Sequence, residues 1–439
     1  MKVMKFGGTS VGKPERMKQI ASLLTKQTEP AIVVLSALSG TTNALVEIGD
    51  NIAKGDRHSA LQIINNLQAH YENFIRELLT REDLYNKAKS IVDEHFDFLH
   101  IILKISFSEA LSKDILAQGE LLSTKIFCTY LEELEWSHVL LPALEFMSID
   151  ENEEPQIGSI RTKLNALLHQ HKDKKILVTQ GYICRNAKGE VDNLKRGGSD
   201  FTASLIAAAI GASVCEIWTD IDGMHNNDPR IVKKTVPVEQ LSFDEAAELA
   251  YFGAKILHPA SIWPAQQYKI PVRLLNTMDP DAKGTLITQE AASAGVKAVA
   301  AKDNIIAIKI KSGRMLLAYG FLRRVFEVFE KHKTSIDMIS TSEVAVSITI
   351  DDSKHLDSIV SDLKTFGTIE VDKNQTIICI VGNKLEEKEG VLKAVFQSLA
   401  QVPVRMVSYG GSSNNISLLV DTSQKEKALN LLNEGLFGL

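Results

Sequence analysis

Cysteine is scarce and never clustered. The four cysteines, Cys128, Cys184, Cys215 and Cys379, lie far apart with no C-x-x-C pairing. They build no disulfide framework and read as reduced, mostly buried thiols of a cytosolic protein. Long apolar runs are missing too. The longest, such as Ala31–Leu35, are strand-sized. No stretch is long and apolar enough to span a bilayer, and the amino terminus lacks the apolar core of a signal peptide. Nor is there a basic run or stripe, and the formal net charge is −6. Neither nucleic acid nor a membrane is therefore an expected partner.

What remains is the composition of a soluble protein of several domains. At 439 residues the chain exceeds one ordinary domain, and two or three are expected. A hydrophobic content of 44% supplies the cores, and 24% charged residues supply the surface.

Lys5-Phe6-Gly7-Gly8-Thr9-Ser10 stands out first. It joins an apolar start, Val3-Met4, to a helix opening near Pro14. Two bare glycines let a ligand approach backbone N–H groups, and a following helix favours negative charge, so the stretch reads as an anion site. A plain tight turn is the competing reading. Gly7, Gly12 and Lys13 have P-loop spacing, but Pro14 stands where Ser or Thr should ligate Mg²⁺. Proline there is better read as the first residue of a helix.

Ala31–Leu35 predicts a buried parallel strand, and Ser36–Asn43 a polar loop at its carboxyl end, where open α/β sheets place ligands. Residues 44–134 are expected to be mostly helical. Within them Glu120 reads as an exposed acid in a first helical turn. After a strand at Ile176–Thr179, Lys195-Arg196-Gly197-Gly198-Ser199-Asp200 repeats the logic of the opening. Two glycines precede a small-residue helix from Thr202, which Ser199 or Asp200 can cap, and Arg196 offers a fork for carboxylate or phosphate. Two such loops, each beside a cation, point to phosphoryl chemistry. Val214–Thr219 predicts a strand leading to Asp220-Ile221-Asp222-Gly223, whose acids either meet a metal or ribose or form the turn. Phe243–Leu249 opens an Ala-rich helix running towards Lys255, and Val272–Asn276 closes the alternating pattern. This first domain is placed at 1–290.

From about 305 the order becomes β-α-β-β-α-β and then begins again, which predicts two ferredoxin-like modules. Ile336–Ser340 aligns with Val404–Ser408, a repeat of roughly 68 residues. The second copy lacks its last strand, and 297–301 is expected to supply it. The modules are placed at 305–373 and at 296–304 plus 374–439.

Lys5–Val11, Arg196–Asp200, Trp218–Gly223, Asp228-Pro229-Arg230 and Phe252–Pro259 together resemble the motif blocks of the aspartokinases, in order and over essentially the whole chain. The resemblance is strongest to the monofunctional, lysine-sensitive type. It implies an amino-acid-kinase fold, a mostly parallel sheet between helix layers, followed by two interleaved ACT domains. It also implies ATP plus L-aspartate giving 4-phospho-L-aspartate and ADP, the first step towards lysine, threonine and methionine. Mg²⁺ would be held mainly by the nucleotide phosphates.

By the same resemblance Lys5, Asp200 and Lys255 are catalytic. Gly7, Gly8, Thr9, Thr219, Asp220, His225, Arg230 and Ile256 join Lys5 and Lys255 around ATP. His225 departs from the tyrosine usual near the adenine. Thr42, Glu120, Arg196, Gly197, Gly198 and Ser199 hold aspartate, Glu120 through its ammonium, which displaces the surface reading of that acid. Met315, Ala318, Phe321, Leu322, Asp337, Ser342 and Glu343 match an effector surface, with lysine the expected ligand and threonine the alternative. Leu317 and Ala318 depart from the polar pair usual there, and Arg405 replaces Asp337 in the second copy. A homodimer through the ACT domains is implied, with a tetramer as the alternative. The competing readings are another amino-acid-kinase enzyme and a catalytically inactive amino-acid sensor.

Overall fold

The computed structural model describes residues 1–195, 197–253, 257–290, 293–313, 315 and 319–439. They form two compact units, Met1–Gly223 with Leu257–Gln289, and Met224–Ile256 with Glu290–Leu439.

The first unit is built on a sheet. In spatial order its strands are His138–Leu140, Ile176–Gln180, Ala31–Leu35, Lys2–Phe6, Cys215–Thr219, Val272–Asn276 and Thr285–Thr288. Neighbours pair in parallel except the last two, which are antiparallel. Every residue of Ala31–Leu35 is buried, as expected of a strand covered on both faces. The helices Thr41–Ala53, Arg57–Leu78, Glu82–Ile102 and Glu109–Glu133 fill the block predicted to be helical. Their apolar faces join the strands in one core around Met4, Phe6, Leu35, Tyr71, Phe96 and Phe127. Pro14 is indeed the first residue of a helix, Pro14–Thr25.

Two local expectations are corrected. The helix after the second glycine pair starts at Gly198, and its cap is Gly197, not Ser199 or Asp200. Gly197 and Gly198 both have positive φ, 69° and 49°, so the turn itself is glycine-specific. Glu120 is not in a first turn. It sits in the middle of Glu109–Glu133 and is buried.

The second unit contains the helix Phe243–Tyr251 and a six-stranded antiparallel sheet. The spatial order is Ile339–Thr341, Ala345–Ile350, Gly295–Lys311, Thr368–Asn383, Asn415–Asp421 and Met406–Ser408. The two ferredoxin-like copies share this sheet. Gly295–Lys311 and Thr368–Asn383 are single long strands, each serving both copies, where four short strands were expected. Ala298–Lys302 pairs with Ile377–Val381, and Ala307–Lys311 with Thr368–Asp372. The register slips between Lys302 and Ala307, and Asn304 and Asn374 there adopt φ of 62° and 59°. Asparagine tolerates that conformation better than other non-glycine residues. Each copy keeps its own core, one around Ile308, Phe329 and Ile348 and the other around Ile380, Val395 and Leu418. In the first copy the outer strand is Ile339–Thr341, and the second helix is Leu356–Leu363.

Gly12 shows why the opening needs a third glycine. It ends the short turn Gly8–Val11, and a Cβ there would lie 2.7 Å from the Ser39 Cβ and 2.9 Å from the Gly8 carbonyl oxygen. Gly12→Ala is expected to lower stability by about 1–3 kcal/mol, the usual cost of overpacking, read as a lower denaturant midpoint.

Candidate active site

Five loops meet at the carboxyl ends of the parallel strands of the first unit. They follow Phe6, Leu35, Gln180, Thr219 and Asn276. The opening loop is held to its neighbour strand by the Gly7 N–H, which donates to the Trp218 carbonyl at 3.4 Å. Ser10 is fully buried, and its hydroxyl lies 2.8 Å from that of Thr277. Ser10 is thus a strut of the loop and not a ligand. The first N–H groups of the turn Gly8–Val11 have no intrahelical acceptor.

The two glycine loops meet through charge. The Lys5 ammonium, at the strand end, lies 2.6 Å from Asp200 in the first turn of Gly198–Ile210. Both side chains are mostly buried. Gly7 leaves room for that ammonium, since a Cβ on Gly7 would stand 3.1 Å from the Lys5 Nζ.

Beside this pair lies a pocket of hydroxyls around a buried acid. Gly119 lets its helix press on the loop after Leu35, because a Cβ there would meet the Ala37 Cβ at 2.7 Å. That approach brings Glu120 Oε1 to the Ala37 N–H, which donates at 3.2 Å. Glu120 Oε2 is buried with no hydrogen-bond partner among the described residues. Burial pushes the Glu120 carboxyl up to about 8, against the opposing effect of the backbone N–H groups of Ala37 and of Glu120 itself. A buried acceptor with a spare oxygen suits a cation brought by a ligand. Ser199 is buried close by, and its hydroxyl accepts from Ser36 at 2.8 Å. Ser123 in turn donates to the Ser36 carbonyl at 2.8 Å.

Tyr182 completes the pocket and escaped the sequence reading. It has a positive φ of 66°, and its ring would lie 3.7 Å from a Cβ on Gly198. Burial, aided by the charges of Glu120 and Asp192, pushes its phenol up to about 12. Ser36 was read only as part of the ligand loop Ser36–Asn43, and Ser123 and Thr277 were not read, since lone hydroxyls carry no pattern of their own. Thr9, Thr42 and Asp220 are exposed on the same loops, and the Thr219 hydroxyl donates to Asp220 at 3.1 Å.

The first unit therefore brings together Lys5, Gly7, Gly8, Thr9, Thr42, Glu120, Gly197, Gly198, Ser199, Asp200, Thr219 and Asp220. His225 and Arg230 belong to the second unit. His225 Nδ1 is 2.8 Å from the Thr235 hydroxyl, and Arg230 forks onto Asp228 at 2.7 and 2.9 Å. Arg196, Lys255 and Ile256 lie outside the described residues, as do Leu317 and Ala318. Of the expected effector positions, Ser342 and Glu343 are exposed, Met315 and Leu322 are half-buried, and Phe321 is in the core against Phe366. Asp337 is not a solvated turn acid; its side chain is buried on Lys302 at 2.7 Å. All four cysteines are buried and unpaired. Among the described residues no helix is long and apolar enough to cross a membrane.

Residues 1–276 match the amino acid kinase family, and residues 378–436 match an ACT domain. The chain is 34% identical to lysine-sensitive aspartokinase 3 of Escherichia coli (strain K12), with 99% of both sequences covered. It is 35% identical to the chloroplastic aspartokinase 1 of Arabidopsis thaliana, over 99% of this chain and 80% of that one. Among solved structures, E. coli aspartokinase III in complex with aspartate and ADP (R-state) superposes with a TM-score of 0.81 at 32% identity, covering 100% of each chain. The complex of the same enzyme with lysine and aspartate (T-state) gives 0.82 at 32% identity, covering 100% of this chain and 99% of that one.

Glu120 should be protonated at neutral pH in the empty site. Infrared difference spectra between pH 6 and pH 9 are expected to show a buried carboxyl losing its proton near pH 8. The band should vanish in Glu120→Gln. A titration at the ordinary glutamate range would contradict the assignment.

Proposed function

The chain belongs to the amino acid kinase family and, within it, to the aspartokinases, and we propose that the loops around Lys5 and Glu120 are where ATP phosphorylates L-aspartate. The reaction gives 4-phospho-L-aspartate and ADP, with feedback inhibition by lysine. The observation that carries this assignment is the adjacency of two unlike sites at one sheet edge. One is a cation between glycine loops, and the other is a buried acid with a spare oxygen.

An ionised carboxylate is already a nucleophile, so no strong general base is required. The difficulty is to bring two anions together, and catalysis is mostly positioning and charge neutralisation. In the proposed mechanism Lys5 sits on the phosphoryl group in transfer, whose charge spreads over its oxygens as the bond to the leaving group breaks. Asp200 holds the Lys5 ammonium in place at 2.6 Å. Backbone N–H groups of Gly7, Gly8 and Gly198 hold phosphate oxygens, with Thr9, Thr219 and Asp220 along the nucleotide. Lys255 neutralises charge from a second side, and Ile256, His225 and Arg230 contact the nucleotide. On the acceptor side Glu120 takes the aspartate ammonium, and Thr42, Arg196, Gly197 and Ser199 orient its carboxylates. Among the described residues no three His, Cys, Asp or Glu side chains converge as a metal cage. Mg²⁺ is proposed to be held mainly by the phosphates of ATP.

Residues 1–290 are proposed as the kinase domain, 305–373 as the first ACT domain, and 296–304 with 374–439 as the second. Lysine is proposed to bind the first, with its ammonium on Asp337 and with Met315, Phe321, Leu322, Ser342 and Glu343 around it. Ala318 is assigned to the same surface. The E. coli relative is described in an R-state with aspartate and ADP and in a T-state with lysine. A homodimer in the cytoplasm, formed through the ACT domains, is the assembly proposed here.

Trapping the product as its hydroxamate, with ATP, Mg²⁺ and aspartate, tests the reaction. Product from glutamate alone would overturn the substrate. Lys5→Ala is expected to lower kcat at least about 100-fold with the fold intact, and near-normal turnover would remove Lys5 from the mechanism. Glu120 must ionise before it can pair with an ammonium. The KM for aspartate should therefore fall about tenfold between pH 7 and pH 9, and this dependence should be absent in Glu120→Gln.

A further inference from the structure

The two copies in the second unit carry one ion pair at the same place with its charges exchanged. The Asp337 N–H donates to the Thr349 carbonyl at 2.9 Å, and the Arg405 N–H donates to the Leu419 carbonyl at 2.8 Å. Thr349 pairs with Ala307 and then Asp372, as Leu419 pairs with Ile377 and then Lys302. Asp337 is thus equivalent to Arg405, and Lys302 to Asp372. The side chains couple across the copies, Lys302 to Asp337 at 2.7 Å and Arg405 to Asp372.

The two versions differ in what surrounds them. Arg405 and Asp372 are partly open to water, with 27% and 47% of their side chains exposed. The Asp337 side chain is 1% exposed, because Tyr251 covers it. Tyr251 is the last residue of the helix Phe243–Tyr251, and its phenol donates to Asp337 Oδ1 at 2.8 Å. Its ring also lies 4.2 Å from the Lys302 ammonium. Burial alone would discharge that ammonium, but Asp337 and Asp351 hold Lys302 above the ordinary lysine range. Both bonds, from Tyr251 and Lys302, fall on Oδ1. Asp337 Oδ2 is buried with no hydrogen-bond partner among the described residues.

Two residues beyond Tyr251, Gly253 has a φ of 131°, and a Cβ there would lie 2.2 Å from the Ala301 carbonyl oxygen. Ala301 and Lys302 are neighbours on one strand. That strand therefore grips the tripeptide Tyr251–Gly253 at both ends, and Lys255 follows two residues later in the sequence.

We propose that Tyr251 is the positioning residue through which the first ACT copy governs Lys255, with Asp337 as the shared switch. The proposal rests on the aspartokinase reading and on lysine binding at Asp337. Oδ2 receives the effector's ammonium, while Oδ1 holds Tyr251. A cation on Oδ2 draws negative charge away from Oδ1 and weakens its bonds to Tyr251 and Lys302. Lys302 retains Asp351 at 2.8 Å; the segment Tyr251–Gly253, which precedes Lys255 in the sequence, is released. The second copy cannot act this way, because Arg405 offers no acceptor.

Tyr251→Phe removes only the hydroxyl and keeps the ring over Lys302. Two measurements test it, the inhibition of aspartyl hydroxamate formation by L-lysine and the binding of L-lysine by calorimetry. The further inhibition that saturating lysine adds is expected to shrink at least about fivefold, the lower end of ordinary allosteric coupling. The Kd for lysine should not rise, and the rate without lysine should fall toward the lysine-inhibited rate of the parent, because the bond that lysine breaks is already absent. An inhibition curve that superposes on the parent's overturns the proposal. So does a Kd that shifts in parallel with inhibition, which would make Tyr251 a mere contact of the ligand. Hydrogen exchange over 251–258, with and without lysine, gives a readout independent of turnover. Lysine should raise exchange there in the parent, and Tyr251→Phe should exchange at the raised rate with or without lysine. A parent chain that makes no aspartyl hydroxamate yet shows this exchange response overturns the kinase reading alone. A parent that binds no lysine overturns the coupling.

Discussion

The ion pair between Lys5 and Asp200 is the contact around which the candidate active site is arranged. Lys5 ends the first strand, and Asp200 lies in the first turn of a helix nearly two hundred residues later. Joined, they fix the distance between the two glycine loops. Each glycine nearby has a task set by this meeting. Gly7 leaves room for the ammonium, and Gly197 and Gly198 take the left-handed turn that starts the helix early enough for Asp200 to face Lys5. An aspartate at that position would otherwise serve as an ordinary first-turn acid. Here its charge is spent on orienting a cation, and the cap falls to glycine.

Much of this was legible in the residues. The buried strand Ala31–Leu35 declared itself by an unbroken apolar run, and Pro14 by the place proline takes in a helix. The paired glycine loops marked the site, because bare backbone beside a cation has few other uses. Glu120 was misplaced for a physical reason. Its helix is buried on nearly every side, so no amphipathic stripe shows where the helix begins or which face is hidden. Tyr182 could not be read at all, since its role depends on a backbone conformation that only the fold imposes. The long strands Gly295–Lys311 and Thr368–Asn383 were divided by the sequence reading at their polar midpoints. Those midpoints are bulges inside continuous strands, and an asparagine marks each one.

The internal repeat preserved a backbone and discarded a charge pattern. Equivalent residues make equivalent ladder bonds in both copies, yet Asp337 and Arg405 are opposite in sign. Exchanging both members keeps each pair attractive while making the copies chemically distinct. Only one of them presents a buried acceptor, and only that one is covered by a tyrosine from the helix Phe243–Tyr251. Charge exchange thus turns two equivalent positions into one buried acceptor and one partly exposed pair.

The two shared strands have a mechanical consequence. Because Gly295–Lys311 and Thr368–Asn383 run unbroken through both copies, neither copy can change its twist alone. They act as a pair of stiff shafts, and torque applied at one end is delivered at the other without crossing any side-chain interface. The first copy is also not a detachable cassette. Excising it would sever both shafts at their midpoints.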